Sequence, residues 1–288
     1  MRNVVRLHKA ERDDIADLVT YRVLPSSTIG TGQFEPFLFL NHHGPQVYPP
    51  ENRGLPFAPH PHRGFETVTY IRKGELTHRD SGGFESVIKA GGVQWMTAGS
   101  GLIHEEVSSP EFKAAGGEVE ILQLWLNLPA KLKFTPPAYQ GMQRSDIRVA
   151  ELADGLGTVQ IIAGEWMGEK ANYQSLTGVT AVAMELKARA QLDIPVAKDL
   201  RIFLYVVQGQ VSVNKHDLSD HNLIEFEVGE GGVSLHALTD ACVFFATAKP
   251  IGEPVVAHGP FVMNSKAEIH QAILDYQAGK FGEWKHKS

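Results

Sequence analysis

The chain has 288 residues, 43% hydrophobic and 21% charged, with a formal net charge of −6 and one cysteine. This is globular composition, long enough for two ordinary domains with buried cores. Lys and Arg scattered among a surplus of acids argue against direct nucleic-acid binding, no run approaches the ~18 apolar residues of a membrane span, and Cys242 alone leaves no intrachain disulfide or cysteine-based zinc site.

The opening "MRNVVRLHKAERDD" lacks the apolar stretch of a signal peptide, so a cytoplasmic protein is expected. Short β-like runs follow at 36–42, 66–76, 85–98 and 117–128, bounded by Gly, Pro, Asn and Asp. In the last of these, Ile121, Gln123, Trp125 and Asn127 alternate with Leu122, Leu124, Leu126 and Leu128, the pattern of a strand buried between layers. Residues 129–146 carry three prolines and no clear period, and read as a linker. β-like runs resume at 157–166, 177–188, 201–214, 222–238 and 241–248. Both halves repeat one order: long strand, Gly turn, strand, Gly-Gly turn, strand. Compare "TYIRKGEL…VIKAGGVQWM" with "LYVVQGQVSV…FEVGEGGVSLHA". An all-β chain is therefore expected, a duplicated antiparallel barrel or sandwich, with domains 1–134 and 135–288. One helix is signalled at the end: Ser265 and Glu268 fit a capping box, Ile269, Ala272, Ile273 and Tyr276 share a face, and Gly279 is a stop.

The chemistry concentrates in two stretches. In "APHPHRGFETVTYI" (58–71), His60 and His62 flank Pro61 at the mouth of a strand-like run, and i, i+2 spacing points both imidazoles to one face. Two surface histidines in a Pro-rich loop explain this stretch equally well. In "WMTAGSGLIHEEVSS" (95–109), however, His104 and Glu106 repeat the spacing after a Gly-rich turn. Two antiparallel strands that each offer two donors inward bring four ligands to one centre. Imidazole with carboxylate suits a divalent transition metal, non-haem iron among them, and is too nitrogen-rich for Ca²⁺ or Mg²⁺. Phe57, Phe65, Trp95 and Met96 are candidates to line an apolar pocket nearby. His236 stands alone in the second half, His42 and His43 point to opposite faces of any strand, "HRDSGG" (78–83) reads as a turn, and Cys242 sits inert in an apolar run.

At these residues the sequence resembles the pirin family of bicupins. The likeness runs through "PHPHRGFETVTYIRKGELTHRDSGG…GGVQWMTAGSGLIHEE", "LQLWLNLPAKLKFTPPAYQ" and "EPVVAHGPFVMNSKAEIHQAILDYQAGKFG", with residues 145–240 less distinctive. It implies two jelly-roll-like barrels plus the C-terminal helix, with one iron bound by His60, His62, His104 and Glu106 in the first barrel and no metal in the second. The general cupin pattern runs through Gly54, His60, His62, Glu66 and Gly74, with the spacing to Gly74 off by one; Glu66 is then a reserve or supporting carboxylate.

The resemblance also implies a metal-dependent quercetin 2,3-dioxygenase (a quercetinase) acting on a flavonol-like aromatic substrate with O₂. Fe(II) is the favoured cofactor, with Cu, Ni, Mn and Zn compatible with the donors. Glu106 is the expected catalytic base. The alternative is an iron-dependent redox sensor, a transcription cofactor acting through a protein partner. A zinc hydrolase would need an oxyanion donor and a water-activating base, and none is recognisable.

Overall fold

The computed structural model describes residues 1–285, and strands dominate it, with helices at Pro110–Ala115 and Lys266–Gln277. The chain divides into two compact units, each built from a seven-stranded and a four-stranded antiparallel sheet. The duplicated all-β organisation read from the sequence is therefore present.

The expected domain split differs from this division. One unit comprises Arg12–Ser145 with the segment from Ile251 onward; the other comprises Met1–Glu11 with Asp146–Pro250. The N-terminal strand Val4–Lys9 pairs with Asn222–Phe226, at the edge of the second unit's large sheet. Arg2 anchors it there, donating to the carbonyls of Gly231, Leu200, Val196 and Ala197. The C-terminal helix belongs to the first unit, where Ile269 and Ala272 pack with Phe261, Met263 and Phe281. Residues 129–146 are also more than a linker, because Ala138–Met142 pairs with Val93–Thr97 and extends the first unit's large sheet.

In the first unit the large sheet runs Ala138–Met142, Val93–Thr97, Phe65–Lys73, Gly117–Asn127, Phe37–Tyr48, Thr20–Leu24 and Glu11–Arg12. The small sheet runs Phe57–His62, Leu102–Val107, Glu75–Asp80 and Glu85–Lys89. Period-2 alternation decides which side chains enter the space between them. Phe65, Thr67, Thr69 and Ile71 share one face, and Thr69 reaches Glu106 of the small sheet, so that face points inward. Gly44 and Gly74 sit with positive φ at close backbone approaches, where a Cβ would meet the carbonyls of Val119 and Glu118.

The second unit's interior is apolar throughout. Val182, Met184, Leu204, Val206, Val243 and Phe245 of its large sheet pack on Leu192, Val211, Val213, Val233 and Leu235 of its small one. Within Val233–Ala237 the buried residues are Val233, Leu235 and Ala237, which leaves His236 on the other face. Cys242 is buried and forms no disulfide.

Candidate metal centre

The sequence places two histidines at the end of Phe57–His62 and one in Leu102–Val107, and the sheet brings these strands side by side. His104 lies directly opposite His60, and Leu102 opposite His62. One ring nitrogen from each of His60, His62 and His104 falls within 4.8 Å of the others. The ring centroids are 4.4 to 4.9 Å apart.

The hydrogen bonds fix how these rings face. His60 Nδ1 lies 2.7 Å from the Ala58 carbonyl and His62 Nδ1 lies 3.3 Å from that of Pro260. A carbonyl only accepts, so each Nδ1 carries the proton and each Nε2 keeps a free lone pair. His104 is 1% exposed, yet neither of its ring nitrogens has a hydrogen-bond partner. An imidazole buried in this way loses its water and gains nothing in return. Burial also pushes the pKa values of His62 and His104 well below the usual imidazole range, and the neighbouring imidazoles add to this. Neutral imidazoles with bare lone pairs are the ligating form. The donor set therefore fits a divalent transition metal.

Glu106 is not gathered with the three histidines. It lies on the inward face of the same strand, 2% exposed, but its Oε1 accepts from Thr69 Oγ1 at 3.0 Å and its Oε2 from Gln123 Nε2. Glu66 is on the opposite face of its strand from Thr67 and Thr69, where its Oε1 accepts from Thr97 Oγ1 at 2.7 Å. Burial raises its pKa, against the hydrogen bonding of Thr97 and Trp95. Trp95 shares that outer face, which removes it from the expected pocket lining, while Phe65 lies 5.0 Å from His62. Met96 packs with Leu102 and Tyr139, and Phe57 lies 5.2 Å from His43.

Two neighbouring aromatic groups escaped the sequence reading. The strand Glu75–Asp80 takes in the first half of the segment read as a turn, which begins only at Ser81 with Asp80 accepting from the Gly82 and Phe84 amides, and it sets His78 opposite Glu106. Tyr139, from the supposed linker, stacks on His78 with centroids 3.9 Å apart and planes 7° from parallel. His78 Nε2 lies 3.0 Å from Asp80 Oδ2, and Tyr139 Oη lies 2.6 Å from Ser86 Oγ. Burial raises the Tyr139 phenol, so it stays protonated. The strand alternation from Glu75 was the available signal for His78; Tyr139 had none, because two prolines obscure the start of its strand.

Comparison with known proteins matches residues 19–126 to the Pirin model and residues 181–282 to the Pirin C-terminal cupin domain. The chain belongs to the pirin family. It is 35% identical to a Pseudomonas aeruginosa protein named "Putative quercetin 2,3-dioxygenase", over 98% of this chain and 99% of that one. It is 40% identical to a pirin-like protein of Caulobacter vibrioides, over 86% and 88% of the two chains. Among solved structures, a quercetin 2,3-dioxygenase from Acinetobacter baumannii superposes with a TM-score of 0.93 at 35% identity, covering 98% of this chain and 99% of that one. The bicupin fold of this pirin-family chain is thereby established, and its three-imidazole cluster lies in the first cupin. No helix of the described residues is long and apolar enough to cross a membrane.

Proposed function

We propose that this protein is a metal-dependent dioxygenase of the quercetin 2,3-dioxygenase type. The observation that carries this reading is His104, a buried imidazole with both nitrogens unmet, facing two imidazoles whose tautomers are already set for ligation. His60, His62 and His104 hold the ion. Glu106, two residues beyond His104 on the same inward face, serves that centre as fourth donor and proton acceptor. The names of the P. aeruginosa relative and the A. baumannii structure support the choice of substrate class.

Held by these residues, divalent iron would supply a Lewis acid that favours the deprotonated 3-hydroxyl of a flavonol. The chain's own residues do the rest. Three neutral imidazoles and one carboxylate leave about one positive charge on the ion, which an enolate balances. Thr69 and Gln123 donate to Glu106 and keep its carboxylate turned inward, where it takes the substrate's hydroxyl proton. Trp125 and Phe65, 5.2 and 5.0 Å from His62, exclude water on one side, and the stacked His78–Tyr139 pair presents a flat wall beside His104.

Anaerobic reconstitution with Fe(II), followed by oxygen uptake and loss of flavonol absorbance, tests the proposal. Turnover in the wild type and none in His62→Ala is expected. Iron-loaded protein that consumes neither flavonol nor O₂ overturns it, and a partner affinity that then changes on iron oxidation identifies a redox sensor.

A further inference from the structure

The C-terminal segment from Ile251 touches both histidine-bearing strands. At the first, Pro260 carries the carbonyl that accepts from His62 Nδ1, and the same carbonyl accepts from the Arg63 amide at 3.4 Å. Val262 donates back to the Arg63 carbonyl at 3.1 Å, so residues 260–262 run beside the end of the His60–His62 strand like an added short strand. Lys133 Nζ locks this pairing from beneath, donating to the carbonyls of Gly64 and Val262 and to Asn127 Oδ1. At the second strand, Phe281 lies so close to Gly101 that a Cβ there would come within 2.7 Å of its ring. Ser81 joins the two, donating to the Phe281 carbonyl at 2.6 Å and accepting from the amide of Ile103, the residue before His104, at 3.0 Å.

One side chain ties these contacts together. Arg63, the residue after His62, donates from Nε to the Ser100 carbonyl at 2.7 Å and from a terminal nitrogen to Asp275 of the C-terminal helix at 2.8 Å. Its guanidinium carbon lies 4.6 Å from the Phe281 ring centre. Asp275 also accepts from Lys280 and Gln271, and Lys280 and Arg63 hold its carboxyl well below the usual range. The helix is thereby pinned to the chain at His62, and it packs through Ile269 and Ala272 on Phe261, in the middle of the Pro260–Val262 contact, and on Met263, just beyond it.

We propose that Arg63 and Asp275 are positioning residues for the metal centre: by docking the C-terminal segment they hold the Pro260 carbonyl against His62 and so set the direction of the His62 lone pair. This rests on the reading of His60, His62 and His104 as the metal site. Partners of the non-ligating nitrogen orient a ligating histidine, and their loss typically costs 10–100-fold in metal affinity. Linkage makes the effect reciprocal, so metal binding tightens the docking of the segment by the same factor.

The test uses the full-length protein and Ni(II), with affinity measured by chelator competition and amide exchange followed over residues 261–263. Asp275→Ala, at a helix position that tolerates alanine, is expected to weaken Ni(II) binding about tenfold, while Asp275→Asn, which keeps an acceptor for Arg63, largely restores it. Lys280→Ala removes a different partner of Asp275 and leaves Ni(II) affinity unchanged. In the wild type, Ni(II) slows exchange of the Val262 amide; in Asp275→Ala this protection shrinks. Asp275→Ala with wild-type affinity, or a Val262 amide indifferent to Ni(II), overturns the positioning role while the histidine site stands. Wild-type protein that binds no Ni(II) overturns the site and the positioning role together.

Discussion

His43 offers a quantitative check on the interior of the first cupin. It lies on Phe37–Tyr48, 1% exposed, with Nδ1 2.9 Å from Thr20 Oγ1 and no partner for Nε2. Thr20 Oγ1 itself donates to the Leu18 carbonyl, so the His43 proton sits on Nδ1 and the buried Nε2 is bare. Burial, with His42 and Arg22 nearby, lowers its pKa to about 3 from the ordinary 6.5. The folded value is depressed, so His43 stays neutral in the fold while the unfolded chain takes up a proton below 6.5. Its contribution is complete above that pH and is lost progressively as the pH falls towards the folded value. At about 1.36 kcal/mol per pH unit, the loss is roughly 2 kcal/mol at pH 5 and approaches 5 near pH 3. His43→Leu removes the titration and leaves Thr20 its bond to Leu18. Urea unfolding at pH 7 and pH 5 should show the wild type losing about 2 kcal/mol more than the variant. NMR should show the His43 ring without a titration step between pH 7 and 4.5. Parallel stability curves for the two proteins, or a ring that titrates near 6.5, would refute the reasoning.

Three further outcomes follow from the site. Glu66→Gln should leave metal stoichiometry and affinity unchanged, since Glu66 faces away from the histidines, whereas Glu106→Gln should abolish turnover; chelator competition and the flavonol assay separate the two. His104→Leu should end metal binding and yet stabilise the metal-free protein by about 1–3 kcal/mol, the cost of leaving a buried polar group unmet; denaturation in the presence of chelator reads this, and a loss of apo stability would contradict it. Arg2→Ala should destabilise by about 3–5 kcal/mol, because four carbonyls lose a buried cationic donor. Amide exchange should then show Val4–Lys9 released first.

The fold was legible where side-chain periodicity carried it. Gly117–Asn127 and Ala241–Ala248 fall close to where alternation and apolar runs put them, and Ser265 caps the C-terminal helix as expected, with its Oγ accepting from Glu268. The i, i+2 spacing of His60 with His62 and of His104 with Glu106 also placed each pair on one face, and pairing of the two strands brings the three imidazoles together. Spacing along a strand does not report which rotamer a carboxylate takes. Glu106 turns to Thr69 and Gln123, both on the facing sheet and thus invisible to a local pattern. The domain exchange at both ends was hidden for a related reason. Val4–Lys9 pairs with a strand more than 200 residues away, and Phe261–Met263, besides its local hairpin with Val256–His258, bridges to Arg63 about 200 residues back; the side chains of these short segments name no partner.

Comparing the two barrels shows what the site costs. Along the inward faces of the second, Val206 follows Leu204 and Phe245 follows Val243 without a polar break. In the first, the corresponding run on Phe65–Lys73 is Phe65, Thr67, Thr69, Ile71, and on Gly117–Asn127 it is Ile121, Gln123, Trp125. A polar belt thus separates the apolar cluster of Ile71, Ile121 and Leu76 from that of Phe65 and Leu38. Thr69 and Gln123 in that belt face Glu106, and His104 buries two unmet nitrogens beside it. Each such group forgoes the burial energy that an apolar residue would contribute there. The C-terminal segment supplies apolar contact at the rim instead, through Phe261, Met263 and Phe281 against Ile103. The barrel that gathers the three imidazoles is also the one that recruits this segment, and the same apolar contacts reach the Pro260 carbonyl that accepts from His62.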